Sequence, residues 1–154
     1  MAYRGERVQR VRAMLLIALF IVGLGLLLTR CPSNRDGMPG QLAQSMEETT
    51  TAARTGAMAL DMWIGHRSTA QLTSVQLSDA RDEVLKAYKG IADLRAEDPV
   101  DIGRQRMLTE SMTTIIGQLN AAAATIRHVT SDPTVEKARA DLMASADALE
   151  SGYR

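Results

Sequence analysis

Residues 98–129, DPVDIGRQRMLTESMTTIIGQLNAAAATIRHV, contain the clearest structural signal in this sequence. Apolar residues recur there in alternating steps of four and three, a spacing that places them on one face of an α-helix. They are Leu108, Met112, Ile115, Leu119, Ala122, Ile126 and Val129. The stretch begins with Asp98-Pro99, and aspartate can cap a helix N-terminus while proline is tolerated at the first helical position. The sequence therefore predicts an amphipathic helix over about residues 99–130.

The same helical spacing continues on both sides and predicts three further helices, over about residues 39–66, 69–97 and 133–151. Ser68 or Thr69 can cap the second helix, and Asp132-Pro133 repeats the start signal of the third. The predicted core positions of these helices are Leu42, Met46, Thr49, Ala53, Ala57, Leu60 and Ile64, then Leu77, Ala80, Val84, Ala87, Ile91 and Leu94, and finally Val135, Ala138, Leu142, Ala146 and Leu149.

Four amphipathic helices joined by short turns bury their apolar faces most readily against one another. We therefore expect an all-α fold in which residues 42–154 form an antiparallel up-down four-helix bundle. No segment alternates with a strand period for long enough to compete with this interpretation. The same apolar stripes are also compatible with a longer coiled coil between chains, so self-association stays open.

Upstream of the bundle, residues 13–29, AMLLIALFIVGLGLLLT, contain neither charge nor proline. As a helix this segment is about 25 Å long, near the lower limit for crossing a hydrocarbon core of roughly 30 Å. Basic residues flanking a span are retained on the cytoplasmic side, and four arginines precede it: Arg4, Arg7, Arg10 and Arg12. We expect a cytoplasmic basic tail at 1–12, a transmembrane signal anchor at 13–29, a linker at 30–41 and an extracytoplasmic bundle.

Two alternatives to an uncleaved anchor are a cleaved secretion signal and a lipoprotein signal. Both require small residues near the cleavage site, whereas the apolar run ends in Thr29-Arg30-Cys31-Pro32. Bulky Arg30 disfavours both alternatives. Cys31 is the only cysteine, which excludes an internal disulfide and leaves an intermolecular disulfide, lipidation or a free thiol.

Composition excludes several classes of function. The 18 basic and 18 acidic residues balance, so the chain lacks the basic excess that nucleic-acid binding needs. Aromatic residues make up 3% of the chain, too few to line a base-stacking platform. Arginine outnumbers lysine by 15 to 3, a ratio compatible with a GC-rich bacterial genome.

The candidate chemical groups do not form a catalytic pattern. His66 and His128 are predicted in the last turns of the first and third helices, where Asp61 or Asp132 is a candidate third ligand for a metal. We expect them instead to interact with the helix dipoles, without a metal.

The acidic clusters are expected to be solvated and hence unsuited to acid-base chemistry. They comprise Asp79, Asp82 and Glu83, and Glu97, Asp98 and Asp101. Thr49-Thr50-Thr51 has no base to activate it. The sequence predicts no enzyme, cofactor or metal.

A candidate interface lies near the end of the first helix, where Met58 and Met62 are one turn apart beside Trp63. Methionines suit adaptable binding surfaces and tryptophan anchors interfaces. The alternative, which residue type favours, is that all three fill irregular gaps between alanine-rich helices. We expect an accessory subunit of a bacterial cell-envelope complex, bound to the bilayer through 13–29 and docking a membrane or exported protein. A ligand-sensing four-helix bundle and a lysis or envelope-spanning structural protein are the alternatives.

Overall fold

The computed structural model describes residues 37–153, a segment of the chain that is mostly helical. Four helices form it: α1 (Met38–Ile64), α2 (Ala70–Ala92), α3 (Pro99–Ile126) and α4 (Val135–Tyr153). The predicted all-α fold is confirmed, and no strand occurs between residues 37 and 153. None of these four helices is long and apolar enough to span a bilayer. The predicted tail at 1–12, the predicted transmembrane helix at 13–29 and Cys31 lie outside the described residues.

Each helix packs against the next one in the chain, and α4 packs back against α1. Contacts between the ends of α1 and α4 show that these two helices run in opposite directions. The Tyr153 hydroxyl at the end of α4 donates to the Pro39 carbonyl at the start of α1, 3.4 Å away. At the opposite end, Arg139 near the start of α4 lies 3.0 Å from the Asp61 carboxylate near the end of α1. The predicted four-helix bundle is confirmed, with neighbouring helices antiparallel.

The hydrophobic core follows the predicted apolar stripes. In α2 and α4 the central stripe residues are buried, from Leu77 to Ile91 and from Ala138 to Leu149. In α3 the stripe is buried from Leu108 to Ile126, but Val129 is 76% exposed. The prediction for Val129 was wrong because α3 ends at Ile126, three residues before it, and the helical period stops there.

Helix α1 presents small residues to the core, so neighbouring helices approach it closely. Its buried positions include Ser45, Thr49, Ala52, Ala53, Gly56 and Ala57. Gly56 lies where side chains of all three other helices converge. A β-carbon placed on it would lie 2.5 Å from a methyl of Leu119, 3.6 Å from one of Leu142 and 3.7 Å from one of Leu77. The absence of a side chain at Gly56 therefore lets the core close around α1.

Two of the predicted N-caps are confirmed. The Thr69 hydroxyl accepts a hydrogen bond from the Leu72 amide at 3.2 Å, and the Asp98 carboxylate accepts one from the Val100 amide at 2.7 Å. Each side chain satisfies one of the backbone donors that a helix start leaves open. Asp98-Pro99 therefore starts α3 as predicted.

The predicted start of the fourth helix at Asp132-Pro133 was wrong. Helix α4 begins at Val135, and the Thr134 hydroxyl accepts from the Lys137 amide at 3.3 Å. The carbonyl of Pro133 accepts instead from the Thr125 hydroxyl at 2.9 Å, which ties Pro133 to the last turn of α3. Thr134, rather than Asp132, supplies the capping oxygen.

Two other boundaries differ from the predicted ones. Helix α2 ends at Ala92 instead of about 97, because the Gln105 amide of α3 donates to the carbonyls of Ile91 and Leu94 at 2.6 and 2.9 Å. These bonds satisfy carbonyl groups that a longer helix would have paired. Helix α1 begins at Met38, so the last residues of the predicted 30–41 linker form its first turn, where proline is tolerated.

Candidate interaction surface

The structure separates the three predicted interface residues. Met58 is 64% exposed, whereas Met62 and Trp63 are half-buried. Trp63 packs against the hydrophobic core, so part of its ring is unavailable to a partner. Met58 lies on the side of α1 opposite its buried face, and Met62 lies one turn further along the helix. Met58, more than Met62 or Trp63, presents apolar surface to the solvent.

Two residues that sequence reasoning missed extend this apolar surface onto α2. Leu72 is 49% exposed and Val75 is 51% exposed. A signal for them existed, because both are apolar yet fall outside the stripe that continues from Leu77. Since α1 and α2 run antiparallel on either side of the turn at 65–69, residues equally far from that turn lie at the same level. Met62 is therefore level with Leu72, and Met58 is within one residue of the level of Val75. We call these four residues the hairpin patch.

An open groove of about 380 Å³ lies further from the turn, between the same two helices. Its lining residues are Glu47, Glu48 and Thr51 from α1, and Glu83 and Lys86 from α2. We call these five residues the acidic groove, because three carboxylates oppose one ammonium group. Thr51 and Met58 are two helical turns apart on α1, and Val75 and Lys86 are three turns apart on α2. The hairpin patch and the acidic groove therefore share the outer side of the α1–α2 hairpin.

The two histidines lie beyond the helices, which corrects their predicted place in the last turns. His66 and His128 have φ angles of 54° and 57°, in the left-handed region. After α1, the backbone amides of His66 and Arg67 donate to the carbonyls of Trp63 and Met62. After α3, the amides of His128 and Val129 donate to the carbonyls of Thr125 and Ala124. These bonds form the Schellman motif, whose left-handed position usually belongs to glycine. The histidines therefore have a structural role in ending α1 and α3.

The candidate metal ligands are not brought together as a site. Asp61 forms ion pairs with Arg139 at 3.0 Å and with Arg67 at 3.6 Å. Among residues 37–153, no group of three His, Cys, Asp or Glu side chains is placed to hold a metal ion. The Asp61 carboxylate instead joins α1 to α4 and to the following turn.

One member of the predicted solvated acidic clusters is buried. Asp79, Asp82, Glu83, Glu97 and Asp98 are exposed as expected, but Asp101 is only 8% exposed, and the prediction for it was wrong. Asp101 lies in the first turn of α3 facing the bundle, 3.8 Å from the Arg104 guanidinium. One carboxylate of the acidic cluster around Asp98 is therefore packed into the bundle at the start of α3 instead of being solvated.

Arg104 also lies over the ring of Tyr153, 5.2 Å from its centroid, a geometry suited to a cation–π interaction. Burial raises the pKa of the Tyr153 hydroxyl; the Arg104 charge opposes this rise and the Asp101 charge adds to it. With the hydrogen bond to Pro39, these contacts join the starts of α1 and α3 to the end of α4.

The threonine run at 49–51 is part of the helix packing. Thr49 and Thr50 are buried and donate to the carbonyls of Ser45 and Glu47 at 2.7 and 3.1 Å. These bonds occupy both hydroxyl protons within the helix itself. Only Thr51, which lines the acidic groove, faces outward.

Comparisons of the chain with known protein families, curated proteins and solved structures found no match.

Proposed function

We propose that this protein is a single-pass membrane protein whose helical bundle serves as an accessory subunit of a bacterial cell-envelope complex. In this proposal residues 13–29 anchor the chain, the N-terminus is cytoplasmic, and the bundle docks a membrane or exported protein outside. The observation that carries the docking role is the hairpin patch. Four apolar side chains on adjacent helices, all half-buried or exposed, are typical of a surface that another protein covers.

The sequence supports the membrane part of the proposal. An uncharged apolar segment preceded by four arginines favours a signal anchor with the N-terminus inside. The bundle then acts from the outer side, where the hairpin patch is available to other envelope proteins.

Site-specific photocrosslinking tests the docking role. A photoreactive residue at Met58 or Val75 of the full chain, expressed in its native membrane, should give a discrete adduct with another protein. The matched control is Glu110, an exposed residue of α3 outside the hairpin patch, which should give none. Equal adducts from all three positions, or none from Met58 and Val75, would contradict the proposal.

Protease protection tests the topology separately. Protease added to spheroplasts should cleave within residues 37–153, and carbonate washing should leave the chain in the membrane fraction. Full protection would place the bundle inside the cell, and release by carbonate would contradict the proposal that residues 13–29 anchor the chain in the membrane.

A further inference from the structure

We propose that the outer side of the α1–α2 hairpin binds a basic amphipathic helix of the partner protein, with its apolar residues on the hairpin patch and its cations over the acidic groove. This inference rests on the proposed docking function and specifies the chemistry of the partner. It follows from three observations: the position of the apolar residues, the position of the charges, and the length of the surface.

The apolar residues form one end of the surface. Met58, Leu72 and Val75 are each about half to two-thirds exposed, and Met62 beside them is half-buried. They lie in two levels across adjacent helices, so a ligand resting between α1 and α2 would contact both sides at once. An amphipathic helix that docks by apolar residues at i, i+3, i+4 and i+7 matches such a surface. Methionine at two of the four positions suits adaptation to such a helix.

The charges distinguish the other end. In the acidic groove Glu48 and Glu83 carry negative charge and Lys86 carries positive charge, and exposed Asp79 lies on α2 between the groove and the hairpin patch. The excess of carboxylates favours a cationic occupant. A second copy of this chain would bring the same acidic charge, and an anionic bilayer surface would be repelled by it. Lysine or arginine residues of a partner helix complement the acidic groove.

The surface has the length of a helix of several turns. Glu47 and Met58 are separated by about 16 Å along α1, which corresponds to three turns of a bound helix. A partner segment with its apolar residues in one half and its basic residues in the other would therefore cover the hairpin patch and the acidic groove together.

Binding of two synthetic peptides tests this inference. Each peptide has about 18 residues, long enough to form a helix on binding. In one half of each peptide, leucines lie along one face of that helix. The first carries lysines in its other half and the second carries glutamates. Fluorescence anisotropy of each labelled peptide is measured with the full chain in nanodiscs, and empty nanodiscs correct for lipid binding. The lysine peptide should bind at least about tenfold more tightly than the glutamate peptide.

Variants assign that binding to the two parts of the surface. Val75→Glu should weaken the lysine peptide at least about tenfold by placing a charge among apolar contacts. Glu83→Lys should weaken it at low salt, with a smaller effect at high salt because ions screen exposed charges, and should strengthen the glutamate peptide. Val129→Glu and Glu110→Lys make the same chemical changes at exposed positions outside the surface and should leave both affinities unchanged.

Circular dichroism shows whether each variant keeps the helical content of the wild type, and Met58→Glu provides a second apolar test should Val75→Glu lose it. Equal affinity for the two peptides, or equal effects of Glu83→Lys and Glu110→Lys, would overturn the inference. If the peptides fail to discriminate while Met58 still gives a native adduct, only the partner chemistry is wrong. If the peptides discriminate and no native adduct forms, the docking function fails instead.

Discussion

At His66 and His128, a left-handed backbone conformation ends the helices α1 and α3. Both have positive φ angles at the left-handed position of a Schellman motif. A side chain in this conformation brings its β-carbon close to the backbone and costs roughly 1 kcal/mol relative to glycine. Histidine is among the residues that tolerate it better than β-branched ones. The two turns therefore form with some strain that a glycine would remove.

Replacing either histidine by glycine should consequently stabilise the bundle. We expect His66→Gly and His128→Gly each to raise the free energy of unfolding, measured from urea denaturation, by about 0.5–1 kcal/mol, because the relieved left-handed strain exceeds the extra entropy that glycine loses on folding. Arg127→Gly is the matched control, because Arg127 is exposed, precedes His128 and has an ordinary φ of −83°. It should give no gain. Destabilisation by both histidine variants would show that the imidazoles make contacts worth more than the relieved strain.

At the scale of the helices, start signals and apolar spacing act together. The 3.6-residue period predicts which face of each helix is buried, and capping side chains determine where the helix begins. Thr69 and Asp98 confirm this for α2 and α3. At α4 the predicted cap, Asp132, was wrong: the Pro133 carbonyl accepts from the Thr125 hydroxyl, and Thr134 supplies the capping oxygen.

Removal of a cap should reveal its contribution to stability. We expect Asp98→Ala to lower the free energy of unfolding by about 1 kcal/mol, since the Val100 amide loses its acceptor. The neighbouring Glu97→Ala changes the same charge at an exposed position that caps no amide, and it should have little effect. Thermal denaturation followed by circular dichroism would measure both. Equal losses in the two variants would attribute the effect to charge rather than capping.

At the scale of the whole molecule, Gly56 lets the four helices meet. Its neighbours Leu77, Leu119 and Leu142 come from three different helices and are almost fully buried. They have no exposed space into which to swing. A methyl group at Gly56 would therefore have to displace packed side chains or push α1 outward.

Gly56→Ala should therefore destabilise the bundle by about 1 kcal/mol, because overpacking costs about 1–3 kcal/mol and improved helix propensity returns about 1 kcal/mol. Gly117→Ala is the matched control. Gly117 lies within α3, exposed, and a β-carbon there meets nothing within 4 Å. It should stabilise the protein by about 1 kcal/mol through propensity alone. Opposite signs in urea denaturation support the packing role of Gly56; a gain in both variants would contradict it.

The raised pKa of Tyr153 predicts that the free energy of unfolding of the bundle depends on pH. Because burial raises its pKa above the unfolded value of 10.0, the folded state retains the phenol proton that the unfolded state releases. Its contribution to stability is complete below that value and is lost as the pH rises through the folded pKa. The free energy of unfolding should thus fall more steeply for wild type than for Tyr153→Phe between about pH 9 and pH 11. Parallel pH profiles would contradict the predicted shift.

The apolar periodicity by itself predicted a bundle of four helices over residues 42–154 and most of the faces that they bury, because helix geometry converts spacing directly into a face. Residue type alone made Met58, Met62 and Trp63 candidate interface residues, because methionine suits adaptable surfaces and tryptophan anchors interfaces. Only the tertiary structure decided that Leu72 and Val75 join the two methionines, that Asp101 is buried, and that Gly56 is crowded by three leucines. Each of these depends on which residues distant in the chain become neighbours, and that follows from the packing of all four helices rather than from local spacing.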